Sequence, residues 1–289
     1  MRHPLLRIGL FAALAVTATG WFASCSGNSN PGQPVRYAVS YPMQRYLLCE
    51  IAGDSAEVST LIPPGTDPET YEPSVQTLRS LENSRAYFIL GTPGFEESIL
   101  RKVSDNLGEV EPVDCGKNIP HISDAHGNGE SDPHIWNSLR NAISIATAMR
   151  DWLVSHDPDH AAGYNRRYTD LNRRLTALDD SIAGILDDAK GKAFVVIHPS
   201  LSYFAHDYGL RQIAMETEGK EASPRQLSAR MDEARKSGAT VMIHDREHSS
   251  AAAESVARQL GLTLVSVSLN GDNWAEEMIT IAKAIANGK

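Results

Sequence analysis

Two proline-bracketed turns carry side chains able to hold a metal ion. Leu61-Ile62-Pro63-Pro64-Gly65-Thr66-Asp67-Pro68-Glu69-Thr70-Tyr71-Glu72-Pro73 presents Glu69, and Asp132-Pro133-His134-Ile135-Trp136 presents His134. Proline fixes its own φ and restricts the residue before it, so each turn can aim one donor. A third donor, His198, follows the apolar run Ala193-Phe194-Val195-Val196-Ile197. Imidazole and carboxylate suit Zn²⁺ or Mn²⁺, and no thiolate or thioether cluster suggests copper. Three donors on three separate segments predict a site assembled between lobes, unlike the close-set ligand pairs of a zinc finger.

The elements that would position these donors alternate along the chain. Strands are expected over Arg36–Ser40, Ala56–Ile62, Arg85–Leu90, Ala193–Ile197, Thr240–Ile243 and Leu262–Val267. Helices are expected over Gln44–Ala52, Ser74–Asn83, Phe95–Asn106, Ser138–Ser155, Leu201–Tyr208, Pro224–Ser237, Ser250–Leu260 and Asn273–Ala286. Such alternation predicts an α/β fold with parallel-type sheets. Ligands of open α/β sheets bind beyond the carboxyl ends of the strands. Glu69 and His198 follow strands, as do the cluster His244, Asp245, Glu247 and His248, and then Asp272. His134 lies in the loop before the last helix of the first half.

One long helix separates the halves. Asp157-Pro158 is a helix-start signal, and Tyr164, Tyr168, Leu171, Leu175, Leu178, Ile182 and Ile185 then recur at spacings of three and four. A helix running to Lys190 spans on the order of 45 Å at ~1.5 Å per residue, enough to pack along two lobes. The expected organisation is a lobe over 35–156, a rigid linking helix over 157–190, a lobe over 191–289, and the metal in the cleft between the lobes.

The bulk numbers agree. A chain of 289 residues with 42% hydrophobic content can hold one large domain or two modest ones with a real core, and a net charge of −9 counts against nucleic acid as a partner. The N-terminus has a basic start at Arg2 and Arg7 and an apolar stretch from Ile8 to Val16, which reads as an export signal over residues 1–24. Phe22-Ala23-Ser24-Cys25 resembles a bacterial lipobox, with Phe22 where Leu is usual. Cys25 is then the lipidated first residue of the mature protein, and residues 25–34 are a polar tether to the membrane. Cys49 and Cys115 remain, as either a bridge or two free thiols. Between the donor turns, His121-Ile122-Ser123-Asp124-Ala125-His126-Gly127-Asn128-Gly129-Glu130 reads as a polar loop whose His121 and His126 could collect metal weakly.

Taken together, these segments resemble the zinc/manganese solute-binding lipoproteins of bacterial ABC importers, the cluster A-I group. Ile51-Ala52-Gly53-Asp54, the Pro63–Pro68 turn and Tyr71-Glu72-Pro73-Ser74 are similar to the family's first ligand segment. Asp132–Trp136 is similar to its second, and Val196–Phe204 with Tyr208-Gly209-Leu210 to its third. The resemblance covers essentially the whole mature chain. It implies a non-enzymatic protein of the cell envelope that hands a metal ion to an ABC permease, and a monomer is expected. A metal-binding adhesin or buffering lipoprotein is the alternative. A metal-dependent hydrolase is disfavoured, since no HExxH and no second acid–base cluster is present.

The sequence departs from the family at two places. Glu69 stands where His is common; a carboxylate still accepts Zn²⁺, Mn²⁺ or Fe²⁺. After the last strand, Val267-Ser268-Leu269-Asn270-Gly271 has no carboxylate until Asp272. Glu247 resembles a glutamate that some relatives carry and is the preferred fourth donor, with Asp272 and then His248 as alternatives. Short His-bearing tracts favour zinc over manganese.

Overall fold

Among the described residues, two four-stranded parallel sheets, each flanked by helices, form the fold. The computed structural model describes residues 34–92, 94–103, 110–122, 131–216 and 222–288. The export signal, Cys25, and residues 123–130 with His126 lie outside them. The first lobe runs β1 (Val35–Val39), α1 (Pro42–Ala52), β2 (Ala56–Thr60), α2 (Val75–Glu82), β3 (Ala86–Ile89), α3 (Phe95–Val103), β4 (Glu111–Asp114) and α4 (Leu139–His156). Helix α5 (Ala161–Leu186) follows. The second lobe runs β5 (Ala193–Val196), α6 (Ser202–Asp207), β6 (Arg211–Ala214), α7 (Pro224–Ser237), β7 (Val241–Asp245), α8 (Ser250–Leu260), β8 (Thr263–Val267) and α9 (Trp274–Asn287).

The sheets share one topology, β2-β1-β3-β4 and β6-β5-β7-β8. In each, the chain winds first to one side of the opening strand and then to the other. A crevice therefore opens beyond the carboxyl ends of β1 and β3 in one lobe, and of β5 and β7 in the other. The central strands are buried apolar runs, Ala86–Ile89 and Ala193–Val196 among them, as parallel strands covered on both faces must be. Strands β4 and β6 were not expected from the sequence. Both are four-residue edge strands, Glu-Pro-Val-Asp and Arg-Gln-Ile-Ala, with half of each exposed or polar. An edge strand needs no apolar run and tolerates a proline such as Pro112.

The linking helix also differs in detail. Its ends, Pro158–His160 and Asp187–Ala189, are 3₁₀ turns, and the α-helical part is 26 residues, about 39 Å at ~1.5 Å per residue. The expected stripe is present. Tyr164, Leu171, Leu175, Ile182 and Leu186 are buried, and the helix packs on α1 and α4 of the first lobe and on α9 of the second. Arg167 donates from Nε to Ile51 O at 2.7 Å and from Nη2 to Ala52 O at 2.9 Å. It thereby satisfies carbonyls that the end of α1 leaves open. The main apolar core runs from the first lobe past α5 into the second, from Tyr37 and Phe88 to Phe194 and Trp274. A smaller core, around Met215, Met231 and Met242, fills the other face of the second sheet. Among the described residues, Cys49 and Cys115 are free thiols.

Candidate metal centre

Glu69, His134 and His198 converge between the lobes. Glu69 Oε1 lies 3.8 Å from His134 Nε2 and 3.2 Å from His198 Nε2, and the two Nε2 atoms are 3.0 Å apart. Donors held about 2.0–2.1 Å from a tetrahedral ion stand about 3.3 Å apart, so the three atoms are spaced to share one ion. The imidazoles form the floor, with side-chain exposures of 7% and 5%; Glu69, at 42%, forms the mouth.

Local chemistry explains each placement. In the first turn, Asp67 accepts from Glu69 N at 2.9 Å and from Thr70 Oγ1 at 2.8 Å, a side-chain-closed turn that fixes the backbone under Glu69. In the second, Asp132 Oδ1 accepts from both His134 N and His134 Nδ1 at 2.9 Å. With Nδ1 carrying the hydrogen, the lone pair of Nε2 points at the site. Trp136 packs against the His134 ring at 5.1 Å and stacks on Tyr41 at 4.2 Å, which holds the imidazole plane. His198 lies just past β5, and its Nδ1 is 3.2 Å from Glu216 Oε2. Glu216 is set there because the β5–β6 ladder continues past the strand ends, with Glu216 N donating to Ile197 O at 3.0 Å.

The electrostatics follow from this geometry. Burial opposes the charge on His198, but the Glu216 and Glu69 carboxylates outweigh it and push its pKa up to about 10. Burial also opposes the Glu69 charge, yet the hydrogen bond and charge of His198, with His134 and His248 beyond, hold its carboxyl below the ordinary value. Asp132 is lowered likewise, its burial outweighed by His134.

The other residues singled out in the sequence are placed differently. The Glu247 carboxylate accepts from Ser268 Oγ and, at 3.2 Å, from Leu269 N, so it is turned to the β8 loop and does not join the three. Asp272 is exposed on the loop before α9, and His121 is exposed as well. His248 stacks on His198, ring centroids 4.8 Å apart at 26°, and its Nε2 is 3.9 Å from Asp245 Oδ2. Asp245, His244 and His248 line a small cavity beside His198. Burial raises the Asp245 pKa. Asp132 and Glu216 are not among the donors that the sequence pattern singles out. Asp132 has a signal, a carboxylate two residues before His134 across a proline. Glu216 has none, because the short edge strand β6 that precedes it has no apolar run.

The family model described as zinc-uptake complex component A, periplasmic, matches residues 38–288. The chain belongs to this family. Its relatives include a zinc-binding lipoprotein, AdcA, of Streptococcus pneumoniae, 28% identical over 77% of this chain and 47% of AdcA. They also include a manganese-binding lipoprotein, MntA, of Halalkalibacterium halodurans, 26% identical over 76% of this chain and 73% of MntA. The chain thus spans about half the length of the streptococcal relative. Among solved structures, a ZnuA deletion mutant with zinc bound superposes with a TM-score of 0.83 at 32% identity, covering 89% of this chain and 98% of that one. The family fold, two parallel-sheet lobes on a long helix with the candidate ligands between them, is the one described above.

Proposed function

We propose that this chain captures a divalent transition metal outside the cytoplasm and delivers it to the permease of an ABC importer. The convergence of Glu69 Oε1, His134 Nε2 and His198 Nε2 carries the reading. Two oriented imidazoles favour zinc; the carboxylate in place of a third keeps Mn²⁺ and Fe²⁺ within reach. The relatives' names, zinc-binding and manganese-binding, support the same range. The candidates for a fourth position are Glu247, Asp272 and His248; of these the His248 ring lies against His198, while the Glu247 carboxylate is engaged by Ser268 Oγ and Leu269 N. Residues 1–24 are the export signal and Cys25 the lipidated residue. Residues 25–34 tether the lobes 35–156 and 191–289, joined by 157–190, as a monomer at the membrane surface. The protein is a carrier of its ion, without chemistry of its own.

Protein purified without added metal, analysed for bound elements and titrated against a competing chelator, tests this. One tight zinc per chain is expected, lost in His134→Ala and in His198→Ala. Unchanged stoichiometry and affinity in both variants would overturn the site.

A further inference from the structure

The lobes meet on two sides of the site and are fastened differently on each. On the imidazole side, Asn137 Nδ2 donates to Ser200 O at 2.9 Å, Tyr203 Oη to Asp132 O at 3.1 Å, and Ser138 Oγ to Asp207 Oδ2 at 2.5 Å. These bonds tie together the segments that carry His134 and His198. On the carboxylate side, Asn270 makes the fastening. Gly65 N donates to Asn270 O at 2.9 Å, while Asn270 Nδ2 donates to Thr66 O at 2.9 Å and to Pro63 O at 3.4 Å. Asn270 is 3% exposed, so these bonds are shielded from water. Both side-chain partners are carbonyls, which accept only, so the amide nitrogen must face them. Gly65, at φ 73°, takes the left-handed conformation that brings its N–H to Asn270. Asp67 closes the rest of the turn on itself, so residues 63–70 can move as one piece with Glu69.

We propose that Asn270 is the latch of the metal site. It holds the 63–69 turn against the second lobe, so that Glu69 stays over His134 and His198. When the latch parts, Glu69 swings out and the ion is released, while the two imidazoles stay fixed to each other. Asn270 is a positioning residue that acts through Glu69. The inference rests on the metal-capture reading above. The chemistry requires an amide, because a carboxylate of the same size would set negative oxygens against Thr66 O and Pro63 O.

Two measurements on the full mature protein test the latch. The first needs no metal: hydrogen exchange of the Gly65 amide, with the Ala142 amide of α4 as a control. Asn270→Asp and Asn270→Ala are expected to speed Gly65 exchange at least tenfold and leave Ala142 unchanged. The second is Zn²⁺ release into excess chelator. Both variants are expected to release zinc at least tenfold faster while still binding one ion per chain. In a Glu69→Ala background, Asn270→Ala should change release less than twofold, because the group it positions is gone. Wild-type Gly65 exchange in Asn270→Asp would overturn the latch. So would equal acceleration of release in both backgrounds, which would place Asn270 in general lobe packing. A protein that binds no zinc at all would defeat the metal-capture reading, and Gly65 exchange would still decide whether the turn is latched.

Discussion

Changing the pH should expose the proton that stands in for the metal. In the metal-free protein His198 has a pKa of about 10, so at neutral pH it is charged and held between Glu69 and Glu216. A ligating imidazole must be neutral, so the incoming ion has to displace that proton. Each pH unit below the pKa costs about 1.4 kcal/mol, so at pH 7.5 the proton weakens apparent affinity on the order of a hundredfold or more. Calorimetric titration of Zn²⁺ in buffers of different ionisation enthalpy counts the protons. About one should leave per ion at pH 7.5, and log affinity should climb about one unit per pH unit between about pH 7 and 9. A histidine titrating near 6.5 would instead release only about a tenth of a proton at pH 7.5. That smaller number, or an affinity flat above pH 7.5, would refute the claim that the two carboxylates jointly hold the charge. The fold should feel the same proton. A raised pKa stabilises the metal-free protein fully below the unfolded value, about 6.5, and that stability is lost as pH rises through about 10. The thermal shift produced by zinc should therefore widen with pH over this window.

Other perturbations probe the remaining parts. Asp132→Asn removes the charged acceptor on His134 Nδ1 and should weaken zinc binding by about 10–100-fold while one ion still binds; unchanged affinity would deny it an orienting role. Glu69→His should raise the zinc-to-manganese affinity ratio, since it trades an oxygen donor for imidazole; a flat or falling ratio would remove Glu69 from the ligand set. Because α5 packs on both lobes and the main core passes between them, metal should change the radius of gyration by less than roughly 1 Å, against about 18 Å for a globule of this size. A larger compaction in small-angle scattering would show the helix to be no barrier to hinge motion.

Much of the architecture was legible from residues alone, because buried parallel strands must be apolar and helices must show their stripe. Strands β1, β3 and β5 and the Tyr164–Ile185 stripe announce themselves in this way. Edge strands β4 and β6 do not, since one side of each meets solvent, and missing β6 hid Glu216. The three converging donors were readable because proline turns and strand ends are local features. The preference for Glu247 was not sustained by its surroundings. Glu247 lies past β7, but Ser268 Oγ and Leu269 N engage its carboxylate, partners more than twenty residues away that no local pattern discloses. Asn270 was equally silent, with carbonyl partners about two hundred residues earlier in the chain.

The unequal depth of the ligands sets an order of events for an arriving cation. A hydrated divalent ion first meets an anionic oxygen at the rim, Glu69, and only afterwards the two nitrogens beneath it. Water can then leave in steps: an outer-sphere encounter, one aqua ligand exchanged for carboxylate, and the remainder shed as the imidazoles engage. Dehydration is the slow part of capturing small, tightly hydrated cations such as Mg²⁺, and a carboxylate at the threshold does little to hasten it. The rim would therefore sort ions by how readily they surrender their first water, before the nitrogen floor sorts them by affinity. Stopped-flow capture rates of Zn²⁺ and Mn²⁺ should then drop together in Glu69→Gln, in proportion to the lost charge; rates that stay put would place the first exchange elsewhere.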